Sequence, residues 1–100
     1  MQIDEYQQWT EVYWNKTHDW EDQTTHAILG LCTEAAEVAD IFVKARYSPR
    51  IDVSKIVDRD ALKKELGDAL FFVATLGRLY NIPLSEILIG NVHKLEKRYG

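Results

Sequence analysis

The chain has 100 residues, of which 46% are hydrophobic and 28% are charged, and its formal net charge is −4 at pH 7. This length predicts one domain spanning residues 1–100, and the composition is typical of a globular protein rather than of a disordered or membrane-spanning one. The negative charge argues against a protein that follows a nucleic-acid backbone, because that affinity comes mainly from lysine and arginine.

The sequence also predicts a cytoplasmic protein that does not enter a membrane. No apolar run approaches the ~18–20 residues that span a bilayer, and the opening MQIDEYQQWT has neither the basic nor the apolar region of a signal peptide. The single cysteine, Cys32, has no partner for an internal disulfide or a zinc site. We therefore expect Cys32 to be buried as a small apolar residue.

Helical spacing of apolar residues dominates the first half of the chain. It predicts an unusually aromatic first helix over residues 4–15. A polar, turn-prone stretch follows, and a second helix should begin at Thr24 or Thr25 and continue to about residue 45. Residues 46–59 break the period and contain Pro49, so a loop is expected there.

Two more helices are predicted in the second half. The third begins with Asp58 or Asp60 as its N-cap and runs until Asn81 and Pro83 end it. The fourth opens at Pro83 or Ser85 and continues to about residue 98. The expected fold is all-α, a four-helix bundle that is completed by dimerisation or by a dimer of dimers, because one short chain buries a limited core.

Two acidic pairs lie where the helical pattern places apolar residues. Glu34 and Glu37 are one turn apart on the second helix, and Glu65 and Asp68 repeat this spacing on the third. Projected at ~100° per residue, Glu34 lies against the apolar stripe and Glu65 lies within it. Because a buried carboxylate needs a counter-charge, the four side chains predict an all-oxygen site for Mg²⁺, with Mn²⁺ as a substitute.

Other catalytic classes fit the sequence less well. A carboxylate-bridged di-iron bundle uses Glu-x-x-His on two helices, whereas Glu37 and Asp68 stand where histidine would be. The chain has no Gly-x-x-x-x-Gly-Lys motif, and nothing in it resembles a Ser-His-Asp or Cys-His arrangement. A non-catalytic helical interaction module remains an alternative from a different class.

The sequence resembles the all-α nucleoside triphosphate pyrophosphohydrolases, and most closely the MazG-like group. The resemblance is carried by the two acidic pairs, by DEYQQW near the start, by Gly30 four residues before Glu34, and by the ending NVHKLEKRYG. It implies an enzyme that uses Mg²⁺ to split the α–β phosphoanhydride of (deoxy)nucleoside triphosphates into a nucleoside monophosphate and pyrophosphate, in nucleotide-pool housecleaning. A phosphoribosyl-ATP pyrophosphohydrolase is an alternative within the same superfamily.

The resemblance also implies roles for individual residues. Glu34, Glu37, Glu65 and Asp68 would hold the metal, and Glu34 or Glu37 would take a proton from the attacking water. Asn91, Lys94 and Arg98 share one side of the fourth helix and would bind phosphate, and Lys44 lies on the strip that holds Glu37. The expected contacts to the base are Trp9, Phe72, Trp14 and His26. The expected partners are this substrate and further copies of the chain.

Overall fold

The computed structural model describes residues 1–47 and 57–100. These residues form four α-helices and one short 3-10 helix, and the described ranges contain no strand. The α-helices are α1 (Ile3–Trp9), α2 (Trp20–Tyr47), α3 (Arg59–Leu79) and α4 (Leu84–Tyr99). The prediction of an all-α chain with four helices is confirmed.

The first two helices differ from the predicted boundaries. After α1 the chain tightens into the 3-10 helix Thr10–Tyr13, so the predicted single helix over 4–15 is wrong at its C-terminal end. The prediction that α2 starts at Thr24 or Thr25 is also wrong, because α2 begins at Trp20. The Asp19 carboxylate accepts a hydrogen bond from the Asp22 N–H at 2.8 Å, which satisfies a free donor of the first turn.

The boundaries of α3 and α4 agree with the sequence pattern. Asp58 is the N-cap of α3, and its side chain accepts a hydrogen bond from the Ala61 N–H at 3.1 Å. The chain leaves α3 through Asn81, whose φ of 56° is the left-handed conformation that asparagine tolerates. Pro83 then precedes α4. The predicted loop over 46–59 lies mostly outside the described residues, although its first two residues continue α2.

Side chains of α1 cap the start of α4. The Gln7 side chain is buried; its Nε2 donates to the Ile82 carbonyl at 2.9 Å and its Oε1 accepts from the Leu84 N–H at 2.8 Å. Asp4 accepts hydrogen bonds from the Ser85 N–H at 2.8 Å and the Ser85 hydroxyl at 2.6 Å. Pro83 has no side-chain donor or acceptor, so the first free N–H groups of α4 are satisfied by another helix.

The antiparallel pair of α2 and α3 forms the main helix contact. Gly30 on α2 faces Phe72 on α3, and a Cβ added at Gly30 would overlap the Phe72 ring. Ala27 and Ala74 are fully buried in this region. Glycine and alanine therefore bring the two helices close together one to two turns before Glu34.

Much apolar surface stays exposed outside this contact. Every residue from 86 to 100 is exposed, so α4 is held mainly at its first turn. The radius of gyration is 16.7 Å, compared with about 13 Å for a compact domain of this length. The prediction that Cys32 is buried is wrong, since Cys32 lies on a side of α2 that no described element covers. None of the described helices is long and apolar enough to cross a membrane.

Candidate metal centre

Three carboxylates from α2 and α3 converge on one point. Glu34 and Glu65 are half-buried and Asp68 is exposed, and one oxygen from each lies within 4.8 Å of the others. Glu65 and Asp68 meet because a spacing of three residues places them on neighbouring turns of one side of α3. Glu34 reaches them from the facing helix. The two acidic motifs of the sequence therefore face each other across the helix pair.

The surroundings of the Glu34 carboxyl disfavour its ionised form. Burial raises the pKa of the Glu34 carboxyl, and a side-chain hydrogen bond with Glu65 raises it further. The negative charges of Asp68, Glu65 and Glu37 act in the same direction. The Oε2 atom of Glu34 is buried and has no hydrogen-bond partner.

A divalent cation fits this donor set. The three side chains offer only carboxylate oxygens, which Mg²⁺ and Mn²⁺ prefer, and they offer no nitrogen or sulfur ligand of the kind that favours zinc or copper. A cation would also satisfy the partnerless oxygen of Glu34 and would offset the mutual repulsion of the carboxylates. The residues present are thus suited to a hard metal ion.

Glu37 lies beside this group rather than within it. It is exposed on the turn after Glu34, and its charge still acts on the Glu34 carboxyl. The metal-suited group of oxygens is formed by the other three carboxylates, so the assignment of Glu37 as a metal ligand stays a prediction.

Three of the four predicted base contacts form one aromatic cluster. Trp14 stacks on His26 with ring centres 4.6 Å apart, and Phe72 meets the Trp14 ring edge-on at 6.4 Å. Trp14 is buried, and its indole N–H donates to Gln23 at 2.8 Å. Because Phe72 also faces Gly30, this cluster lies one turn of α2 before Glu34.

The fourth predicted base contact, Trp9, belongs to a different aromatic group. It is 41% exposed and packs between Tyr6 and Tyr13, with ring centres 6.0 and 5.6 Å apart. Tyr6 in turn lies close enough to Asp68 for its pKa to be affected: burial raises the pKa of the phenol and the Asp68 charge raises it further. Tyr6 therefore belongs beside the acidic group, and sequence reasoning missed it because α1 and α3 meet only in the folded chain.

The predicted phosphate-binding residues lie on exposed surfaces. Asn91, Lys94 and Arg98 are all exposed on α4, and the Arg98 guanidinium lies over the Tyr99 ring at 5.8 Å. On α2, Lys44 forms an ion pair with Asp40 at 2.9 Å, and this partner raises the pKa of the lysine. The roles of these four residues stay predictions.

Together the fold and the site define an all-α protein in which three carboxylates converge between two antiparallel helices. Residues 23–100 match the MazG nucleotide pyrophosphohydrolase domain, and the chain belongs to that family. It is similar to the Gene 37 protein of Mycobacterium phage L5, with 34% identity over 74 residues. The aligned region covers 74% of this chain and 64% of the phage protein, so the chain spans less than two thirds of that relative. No solved structure gives a significant match.

Proposed function

We propose that this protein is a Mg²⁺-dependent nucleoside triphosphate pyrophosphohydrolase that accepts Mn²⁺ as a substitute. It would cleave the α–β phosphoanhydride of (deoxy)nucleoside triphosphates to a nucleoside monophosphate and pyrophosphate. The observation that carries this proposal is the buried, partnerless oxygen of Glu34 within the three-carboxylate group of a MazG-family chain. The physiological role that fits this reaction is the removal of nucleotides from the pool.

The carboxylates divide into ligands and a base. Glu34, Glu65 and Asp68 would hold the metal, since their oxygens already converge. The bound metal would supply positive charge to the phosphate oxygens and would make a water more acidic. Glu37 is the better candidate for the general base, because it lies next to this group and is exposed. Water would form the new P–O bond and give its proton to Glu37, and pyrophosphate would leave as the anhydride bond breaks.

Aromatic residues near the carboxylates would hold the base. Phe72 and His26 offer rings that are partly open to solvent, and Trp14 packs against both of them from the buried side. Trp9 would approach from α1, where Tyr6 connects it to Asp68. A flat ring gains several contacts with a nucleobase at little entropic cost, which suits this arrangement to stacking.

Basic residues would bind the phosphates, and further copies of the chain would complete the fold. Asn91, Lys94 and Arg98 present polar groups on the exposed helix α4, and Lys44 is about two turns beyond Glu37. The exposed apolar surface and the large radius of gyration support a homodimer or a dimer of dimers.

A substrate screen tests the proposal. The full chain is incubated with each nucleoside and deoxynucleoside triphosphate and with phosphoribosyl-ATP, at millimolar Mg²⁺, and pyrophosphate and the nucleotide product are measured separately. We expect equal amounts of monophosphate and pyrophosphate from at least one substrate, and loss of both products with chelator. Glu37→Gln should lower turnover at least ~100-fold, in line with the loss of a general base.

The control variant is Glu21→Gln, which changes an exposed acid in the first turn of the same helix and should keep full turnover. If no triphosphate is hydrolysed, the enzyme proposal fails and a non-catalytic helical interaction module takes its place. Release of orthophosphate instead of pyrophosphate would contradict the assigned cleavage position. Hydrolysis of phosphoribosyl-ATP alone would move the protein to that branch of the superfamily.

A further inference from the structure

A second polar site lies where α1 meets the end of α3, away from the carboxylates. A cavity of about 320 Å³ opens there, and its lining is mostly polar with one cation. That cation, Arg78, is about 15 Å beyond Asp68 along α3, at 1.5 Å per residue. The lining residues are Asp4, Gln7 and Gln8 from α1, Arg78 from α3, and Asn81, Ile82 and Pro83 from the turn before α4.

The positive charge of Arg78 is only partly satisfied by the protein. Its side chain is half-buried, and its Nε–H donates to the Thr10 hydroxyl at 3.2 Å. A guanidinium has five N–H donors, and this is the one hydrogen bond that Arg78 makes to the described residues. Its Nη2 atom is buried and has no partner. Because a buried cationic donor without an acceptor is costly, this site favours an added acceptor.

A second unsatisfied group lies one turn earlier on the same helix. Thr75 is fully buried, and its hydroxyl oxygen has no hydrogen-bond partner. Thr75 and Arg78 are three residues apart, so they lie on neighbouring turns of one side of α3. Unsatisfied polar groups are therefore concentrated at this end of α3, next to the cavity.

The acid that acts on Arg78 does not form an ion pair with it. One oxygen of Glu11 lies 3.7 Å from the Lys16 ammonium, and the other accepts a hydrogen bond from the Gln8 side chain at 3.1 Å. Burial lowers the pKa of the Arg78 guanidinium, and the Glu11 charge raises it. Within residues 1–47 and 57–100 the ion pairs are those of Lys16 and Lys44, so Arg78 has no direct counter-charge there.

The acid in the cavity lining is already compensated by another helix. Both oxygens of Asp4 accept hydrogen bonds from Ser85, one from the N–H and one from the hydroxyl. Ser85 is in the first turn of α4, where the helix dipole favours a negative charge. The other polar lining groups at the exposed rim are the amides of Gln8 and Asn81, which can donate hydrogen bonds.

We propose that this cavity binds a small oxyanion, a phosphate or a carboxylate group, on the guanidinium of Arg78. The planar guanidinium presents parallel N–H groups that match two oxygens of either group. The amides of Gln8 and Asn81 would donate to the remaining oxygens. The bound ion would connect α1 with the turn between α3 and α4, and this role does not rest on nucleotide hydrolysis.

A titration of the full chain followed by nuclear magnetic resonance tests the proposal. Inorganic phosphate, acetate and chloride are added in separate experiments at constant ionic strength. Chelator is present throughout, so that no divalent cation can hold phosphate at the carboxylates. We expect phosphate or acetate to bind with a millimolar dissociation constant and to shift the backbone signals of Gln8 and Asn81. Arg78→Gln should weaken this binding at least ~10-fold, because it removes the charge and the paired donors.

A second variant and a control separate loss of the site from loss of the fold. Asn81→Asp adds a negative charge at the exposed rim and should also weaken binding at least ~10-fold. Aspartate tolerates the left-handed conformation of Asn81, whose φ is 56°, so this variant should fold. Arg59→Gln makes the matched substitution at an exposed arginine in the first turn of α3 and should keep the wild-type affinity. Circular dichroism checks the helices of each variant.

Binding of phosphate alone or of acetate alone would support the site and identify which oxyanion it takes. The proposal is overturned if neither ion binds, or if chloride produces the same shifts. It is also overturned if phosphate or acetate binds equally well to the wild type and to Asn81→Asp or a folded Arg78→Gln, because the ion would then lie elsewhere, for example on α4. A chain that hydrolyses nucleotides but binds no oxyanion in chelator would contradict only this inference.

Discussion

Glu34→Gln should stabilise the metal-free protein while removing its response to Mg²⁺. The substitution keeps the size of the side chain. It removes one of the three negative charges in the cluster of Glu34, Glu65 and Asp68. Two unit charges 4.8 Å apart repel by about 0.9 kcal/mol in bulk water and by about 3.5 kcal/mol at an effective dielectric constant of 20. Because Asp68 is exposed to solvent, the repulsion between two of these carboxylates is about 1 kcal/mol.

The expected gain is about 2 kcal/mol, because the neutral amide introduced by Glu34→Gln would no longer repel Glu65 and Asp68. For a chain of this length it corresponds to a rise in Tm of roughly 8–16 °C. The size of this gain depends on pH. The folded pKa of Glu34 is raised above its unfolded value, so the protonated form favours folding at low pH and this contribution is lost as the pH rises through the folded pKa. The two proteins should thus converge in Tm toward about pH 4 and diverge at about pH 8.

Differential scanning calorimetry at about pH 8, with chelator and with a Mg²⁺ titration, measures both effects. The wild type should gain about 2.7 kcal/mol when Mg²⁺ reaches about 100 times its dissociation constant, and Glu34→Gln should gain much less. Glu21→Gln is the control: Glu21 is exposed at the start of α2, where the helix dipole favours a negative charge, so its Tm should be unchanged or slightly lower. A metal-free Tm below that of the wild type, or an undiminished Mg²⁺ response, would refute this account of the site.

Two further predictions concern contacts between helices, one between α2 and α3 and one between α1 and α4. Gly30→Ala should destabilise the protein by about 1–2 kcal/mol in urea unfolding, because the new Cβ overlaps the Phe72 ring; Gly67→Ala, which meets open space on α3, should instead stabilise it by about 0.5–1 kcal/mol. Equal effects would show that crowding at Gly30 is unimportant. Asp4 has its pKa lowered by hydrogen bonds from Ser85, so its contribution is present above its unfolded pKa and is lost as the pH falls through the folded pKa. Asp4→Asn should therefore make stability fall less steeply below about pH 4, and an unchanged slope would contradict this role.

Local signals predicted the second half of the chain well. The cap formed by Asp58 and the end of α3 near Asn81 depend on neighbouring residues, so the sequence contains the information that determines them. The same type of signal is present at Asp19, three residues before Asp22, and it competes in the sequence with the capping residues Thr24 and Thr25. The start of α2 was thus predictable in principle.

The convergence of Glu34, Glu65 and Asp68 was predictable, because helical periodicity relates residues on one helix and a buried carboxylate requires a partner. The place of Glu37 among the ligands stays a prediction. Contacts between distant segments were not predictable in this way. Nothing in the order of residues indicates that Tyr6 approaches Asp68, or that Trp9 and Trp14 belong to different aromatic groups. The separation of the two tryptophans follows from the tightening of the chain at Thr10, which ends α1.

Burial of Cys32 was predicted from residue type, and the single chain contradicts it. Residue type indicates whether a side chain favours burial, but it does not indicate which molecule provides the covering surface. The exposure of Cys32 on α2 is consistent with covering by a second subunit, in which case the residue preference is informative and only the assumption of a monomer is at fault.

The capping of α4 by α1 has a consequence for how the domain folds. The family match begins at residue 23, yet Asp4 and Gln7 close hydrogen bonds to residues about 80 positions later. Closing so long a loop is entropically costly, so these bonds should form late, after α2 and α3 have paired. In a nascent chain, Asp4 and Gln7 would then lack their partners at residues 84 and 85 until α4 has been made. A fragment cut to residues 23–100 would never acquire the two side chains that anchor α4.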